Sequence, residues 1–314
     1  MKLVLIFLSC LLSTVIFAQS SDANILFLKK DSTISSLDGN VQVFYYSNSA
    51  GNRKQPLVVQ LHSWSYNANS LKTIGLDREA QTKGDNYIFP NFRGINNHPK
   101  ACCSEYVIED IDEAIDWALK NMNVDKKQIF IVGYSGGGFA TLAMFMKSRH
   151  RIKSFSAWVP ISDLVAWYGQ SVERRNVYAN QIIRCTGATG VFDTAKAKER
   201  SPLYWMTPVK KRKKSTMQIF AGIHDGYTGP VPISQSALFY NKLLSDYKIK
   251  DSSKYVSNGD LEVMLKTQSF PQPLNKTIAG KSIHYQKATK RLMLTVFEGG
   301  HDLLSKEALE YIEK

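Results

Sequence analysis

Acidic residues are scarce in this chain. Its 27 Asp and Glu face 40 Lys and Arg, a formal net charge of +13, so the surface should attract anions. Cysteine is nearly absent: beyond Cys10, only Cys102, Cys103 and Cys185 occur. Three thiols are too few for a disulfide framework and leave one over even if a bridge forms. A bridge from Cys102 or Cys103 to Cys185 would suit an oxidising compartment, and the spacing does not choose between them. Neither CxxC nor HExxH occurs, so no metal site is expected and no cofactor is implied. Helix-turn-helix, RNP and zinc-finger patterns are also missing, which sets nucleic acid aside as a partner despite the charge. There is no internal repeat and no low-complexity linker.

The long apolar run is at the start. "MKLVLIFLSCLLSTVIFAQ" joins a lysine to an apolar stretch and ends in a small residue, which reads as a secretory signal over residues 1–18 and an exported protein, secreted or periplasmic. A membrane anchor and a lipid attachment at Cys10 compete with that reading. The run is short for a stable span, however, and Ser9, Cys10, Ser13 and Thr14 interrupt it.

From residue 19 to 314 the length suits one catalytic domain. "TISSLDGNVQVFYY" (33–46) predicts an opening hairpin around Asp38-Gly39-Asn40. Continuous apolar runs follow at 56–62, 86–90, 128–133, 154–160, 216–222 and 291–297. Runs of this kind predict strands buried on both faces, hence a mostly parallel sheet flanked by helices. Val107, Ile111, Ala114/Ile115 and Ala118 recur at helical spacing between two of them, and the alternation means α/β. Two stretches break the repeat: a helical excursion over one end of the sheet at about 163–209, and an insertion at about 247–282 leading into a hairpin at 282–297.

"GYSGGG" (133–138) stands where a strand ends and the apolar helix "FATLAMFM" begins. Glycines are costly there unless backbone must pass close by, and a G-x-S-x-G between strand and helix is the pattern of a nucleophile elbow at Ser135. It would place the Gly136 amide at a helix N-terminus, facing a developing oxyanion. Phe139 stands where a phosphate-binding loop needs its lysine, and no G-x-G-x-x-G occurs, which removes both nucleotide readings. A serine hydroxyl needs a base, and the base needs an acid to fix its tautomer. "FEGGHDLL" supplies His301 after the last strand, and "FAGIHDGYTGPVP" supplies Asp225 after the penultimate one, preferred to Asp163, which reads as a helix N-cap. His62 reads as a loop residue, and His98, His150 and His284 as ordinary surface histidines. The second oxyanion donor is expected from the Ser63 or Trp64 amide, with Trp64 and Tyr134 as candidate walls of the substrate pocket.

Taken together, "LHSWS", "PNFRG", "DIDEAIDWALKN…VDKKQIFIVGYSGGG", "RSPL", "GIHDG" and "EGGHD" resemble the α/β-hydrolase superfamily in its prolyl-oligopeptidase-like branch, from about residue 40 onward. The resemblance is weak in 163–199 and 247–282. It implies an α/β-hydrolase fold with Ser135, Asp225 and His301 on the catalytic motifs, and Ser63 replaces the family's usual glycine after the oxyanion-loop histidine. An N-terminal propeller is not seen in the sequence, and acids to hold a substrate ammonium are few. The expected activity is therefore ester hydrolysis, in character closest to secreted carbohydrate esterases that remove methyl or acetyl groups. Lys and Arg outnumber Asp and Glu by eleven to two over residues 174–214. "KKRKK" (210–214) precedes a strand and should form a solvated patch away from the site, whereas Arg174, Arg175 and Arg184 could pair with uronate carboxylates. The expected substrate is an acidic polysaccharide such as pectin. The alternatives are a serine peptidase of this branch and a non-catalytic sugar-binding protein on a hydrolase fold.

Overall fold

Alternation inside the apolar runs lets one sheet feed two cores. In the computed structural model, which describes residues 28–272 and 274–313, Leu57, Val59, Leu61, Ile129 and Ile131 join one buried cluster. Val58, Phe130 and Val132, their neighbours in sequence, join the other. The leader read at residues 1–18 lies outside the described residues.

The strands are β1 (Lys29–Ile34), β2 (Val41–Ser47), β3 (Gln55–Leu61), β4 (Asn86–Pro90), β5 (Val124–Tyr134), β6 (Ser154–Trp158), β7 (Thr216–Gly222), β8 (Leu274–Ile278), β9 (Lys281–Ala288) and β10 (Leu292–Phe297). They form one sheet in the order β1-β2-β4-β3-β5-β6-β7-β10-β9-β8. From β4 to β10 neighbours run parallel, and an antiparallel pair closes each edge. The helices are α1 (Leu76–Lys83), α2 (Glu105–Asn121), α3 (Gly136–Lys147), α4 (Leu164–Glu173), α5 (Tyr178–Cys185), α6 (Thr194–Glu199), α7 (Val209–Arg212), α8 (Ile233–Asp246), α9 (Asn258–Thr267) and α10 (Ser305–Glu313). Helices α2, α3 and α8 cover one face of the sheet, with Val107, Ile111, Ile115 and Leu243 in its core. Helices α1 and α10 cover the other through Leu76, Ala80 and Leu309. This is the α/β-hydrolase fold, and no helix among the described residues is long and apolar enough to cross a membrane.

The opening hairpin is anchored by one buried cation. Arg93, from "PNFRG", pairs with Asp38 in the turn and with Asp110 on α2 at 2.6 and 2.5 Å; hydrogen bonds from Arg93 and Lys100 hold the Asp38 carboxyl far below the usual carboxylate range.

The run "KKRKK" corrects one expectation. Its four lysines are exposed, but Arg212 is 0% exposed. Its guanidinium donates to the carbonyls of Phe145 (2.7 Å), Met144 (3.0 Å), Ser148 (2.9 Å) and His150 (2.9 Å). The last carbonyls of a helix lack intrahelical partners and carry its negative pole, so Arg212 serves as a cationic cap under α3. The histidines bring a second correction. His98 contacts the Arg93 carbonyl, His150 the Asp112 carbonyl and His284 the Glu298 carboxylate, and all three are half-buried rather than free on the surface.

The excursion at 163–209 consists of α4, α5, α6 and a short turn. The insertion at 247–282 holds α9 and β8, neither of which its polar sequence announced.

Candidate active site

Ser135 closes β5 and opens α3 with φ 58° and ψ −117°, a strained conformation for a residue with a side chain. The glycines around it answer to close backbone approach. A Cβ on Gly133 would lie 2.0 Å from the Gly137 carbonyl oxygen, one on Gly137 2.1 Å from that of Leu61, and one on Gly136 2.2 Å from the Trp64 nitrogen. The elbow therefore packs directly on the loop after β3, and the neighbour of Gly136 is Trp64 rather than Ser63. The amides of Trp64 and Gly136 make no hydrogen bond to another described residue. Two such donors beside a serine on a strand-to-helix turn are what an oxyanion hole requires. His62 stiffens that loop: its Nε2 lies 2.7 Å from the Asn91 carbonyl and its Nδ1 3.0 Å from that of Ser63, with its ring stacked on Phe92. Burial pulls its pKa down to about 4, against the two carbonyls, which favour the protonated ring.

Asp225 and His301 stand on the loops after β7 and β10, adjacent parallel strands, so chain order brings them together. His301 Nδ1 lies 2.7 Å from Asp225 Oδ2. Asp225 is 1% exposed, and its Oδ1 accepts from the amides of Gly226 (2.9 Å) and Val231 (3.1 Å). A carboxylate held this way keeps the imidazole proton on Nδ1 and leaves Nε2 as the acceptor. No hydrogen bond joins Ser135 Oγ to His301 Nε2 among the described residues. The serine and histidine are linked instead by Tyr134, whose hydroxyl donates to the His301 carbonyl at 2.7 Å and whose ring lies 5.0 Å from the imidazole. Catalytic hydrogen bonds are often long in a ligand-free site.

A match to a family model now settles the lineage. The model, described as the prolyl oligopeptidase family, matches residues 83–258, more than half the chain. The chain belongs to the prolyl oligopeptidase family. Curated protein sequences give no match. Among solved structures, the acylaminoacyl peptidase of Pyrococcus horikoshii shares 14% identity with TM-score 0.57, over 91% of this chain and 40% of that one. A puromycin-hydrolysing peptidase of Mycobacterium tuberculosis shares 17% with TM-score 0.56, over 94% and 39%. The S-formylglutathione hydrolase of Staphylococcus aureus shares 14% with TM-score 0.55, over 91% and 96%. The chain thus spans about two fifths of the length of these peptidases.

Not every residue that the sequence offers as a substrate contact is free to make one. The Trp64 indole is 1% exposed: it packs against Phe139, Trp167 and Tyr178 and donates to Gln181. It is a core residue that seats α4 and α5 over the sheet, and its backbone and Cβ face the elbow. The Tyr134 hydroxyl is likewise engaged on His301. Arg174 spends Nε and Nη2 on the Gly226 carbonyl (3.0 and 2.7 Å) and Nη1 on Gln170, so it ties the excursion to the Asp225 loop. Arg175 and Arg184 are exposed, and their side chains make no ion pair or hydrogen bond among the described residues. Asp163 caps α4 by accepting from the Val165 amide at 2.8 Å, as its sequence position implied. Cys102 is bridged to Cys185, which staples the end of α5 to the loop before α2 and leaves Cys103 as a buried thiol.

Proposed function

We propose that the protein is a serine esterase acting on carbohydrate esters, with an acidic polysaccharide such as pectin as substrate. The observation that carries the reading is the 2.7 Å Asp225–His301 bond, set beside a strained Ser135 and two unengaged amides. In this reading His301 Nε2 takes the Ser135 proton as Oγ attacks the ester carbonyl, and the Trp64 and Gly136 amides receive the oxyanion. The imidazolium returns the proton to the leaving alkoxide, and water, deprotonated by the same imidazole, releases the acid. A methyl uronate would leave as methanol before the uronyl-enzyme is hydrolysed; an acetylated sugar would leave as the alcohol, with acetate released second.

Two further observations support this choice. The chain shares its fold with a fluorophosphonate-binding serine hydrolase and an S-formylglutathione hydrolase, both from Staphylococcus aureus. The net charge of +13, with Arg175 and Arg184 unengaged on the excursion, favours an anionic polymer. Export through the leader at residues 1–18 is part of the proposal. The test is methanol and acetate release from methylated, acetylated pectin by the wild type and Ser135→Ala at low and high salt. Serine-dependent methanol release that falls as salt rises supports a methylesterase, and acetate makes it a deacetylase. Cleavage confined to peptides, or no product from pectin, overturns the proposal.

A further inference from the structure

Glu298 lies three residues before His301, and both of its carboxylate oxygens are engaged by histidines. Oε1 accepts from His224 Nε2 at 2.8 Å, and Oε2 accepts from His284 Nε2 at 2.8 Å. His224 is the residue before Asp225, so one carboxylate joins the loop of the acid to the loop of the base. The third partner, His284, is on β9 just after the insertion, and the far nitrogen of His224 meets Gln268 within the insertion, at the end of α9, at 3.0 Å. The backbone repeats the pattern. His224 N–H donates to the Gly299 carbonyl at 3.0 Å, Ile223 N–H to that of Phe297 at 2.9 Å and Glu298 N–H to that of Ser282 at 2.8 Å.

The sheet is irregular where this occurs. Val296 pairs with Tyr285 and Phe297 with Ile283, so His284 is the extra residue of a bulge. A bulge re-aims a side chain and is common beside active sites; here it directs the imidazole onto Glu298. His284 Nδ1 is buried with no partner, so all the bonding of this ring is spent on the carboxylate.

We infer that Glu298 is a positioning residue: its His224–Glu298–His284 clasp holds the Asp225 and His301 loops in register and couples them to the 247–282 insertion. The inference rests on the reading of Asp225 and His301 as the acid and base. Side-chain exposures of 33, 45 and 14% for His224, Glu298 and His284 make the clasp worth little to global stability, because solvent screens such pairs. Its effect should therefore appear in the geometry of the site. A displacement of about 1 Å in a catalytic group can cost on the order of 100-fold in rate.

The experiment compares Glu298→Ala and Glu298→Gln in the full chain, using p-nitrophenyl acetate turnover, thermal melting and the far-downfield proton resonance of the His301–Asp225 hydrogen bond. Glu298→Ala should melt within a few degrees of wild type, lose about 10-fold or more in kcat with KM nearly unchanged, and broaden the resonance. Glutamine can accept from His224 and donate to His284 Nε2 once that ring moves its proton to the unpartnered Nδ1. It should therefore restore kcat to within about threefold and sharpen the resonance. Wild-type kcat and an unchanged resonance in Glu298→Ala overturn the inference, as does a Glu298→Gln protein as impaired as Glu298→Ala. If the wild type shows no turnover, the esterase reading fails, while the resonance, which needs no substrate, still decides the clasp.

Discussion

Replacing Gly136 with alanine should damage catalysis far more than folding, and the structure says by how much. The new Cβ would lie 2.2 Å from the Trp64 nitrogen and 2.4 Å from its Cα, whereas carbon contacts relax near about 3.5 Å. Both clashing atoms are backbone, so the loop itself must withdraw by about 1.3 Å. That moves one amide out of reach of the oxyanion, and loss of one such donor costs about 10²–10³ in kcat, or ~2.7–4 kcal/mol. Gly169 in α4 is the control: it is exposed, and its Cβ would meet nothing within 4 Å. Gly169→Ala should stabilise the protein by about 0.5–1 kcal/mol through helix propensity and leave turnover intact. Ester hydrolysis at saturating substrate and thermal melting of the two variants decide the matter. If Gly136→Ala keeps kcat within about threefold of wild type, the Trp64 amide is not the second donor.

The Cys102–Cys185 bridge closes a loop across a sequence separation of 83, for which chain entropy gives about 4–5 kcal/mol. Reduction, or Cys102→Ser with Cys185→Ser, should lower Tm by about 7–8 °C, and a non-reduced peptide map joining Cys103 to Cys185 would refute the pairing. Arg212→Ala strips four carbonyls of their donor and should cost about 3–5 kcal/mol in urea unfolding; a loss under about 1 kcal/mol would show that water replaces the guanidinium. Asp85 is 5% exposed, and burial, with the charge of Glu313 beside it, pushes its carboxyl up to about 7. The fold thus favours the protonated form, a contribution fully present below about pH 4 and lost as pH rises through about 7. Asp85→Asn should raise Tm at pH 8 more than at pH 5, and an equal effect at both would contradict that assignment.

What was legible in the sequence follows from how local each signal is. The six apolar runs all became strands, because residues buried on both faces of a sheet must be apolar whatever covers them. The elbow was legible for a similar reason: Gly133, Gly136 and Gly137 each meet backbone within 2.2 Å, and only glycine tolerates that. Asp225 and His301 followed from chain order, since β7 and β10 are adjacent strands. Contacts made by long side chains were not legible. Nothing in "KKRKK" distinguishes Arg212 from the lysines around it, because the reason lies in the carbonyls at the end of α3. Arg174 reads in the sequence as a substrate ligand, whereas its guanidinium holds the Gly226 carbonyl. The loop position of Trp64 points to the pocket, but α4 and α5 bury its ring. The Glu298 clasp was missed because it needs His224, Glu298 and His284 from three elements, and the bulge that turns His284 toward it leaves no mark in the sequence. Helix α9 and strand β8 lie in a polar insertion whose pattern predicted only loops.

In the proposed mechanism Ser135 is a nucleophile activated by His301 and Asp225. A fluorophosphonate probe on the wild type, Ser135→Ala and His301→Ala, read by mass spectrometry of the labelled peptide, tests it most directly. The account predicts a single adduct on Ser135, none in Ser135→Ala, and labelling slowed by orders of magnitude in His301→Ala. An unlabelled wild type, an adduct on another serine, or equal labelling without His301 would contradict it.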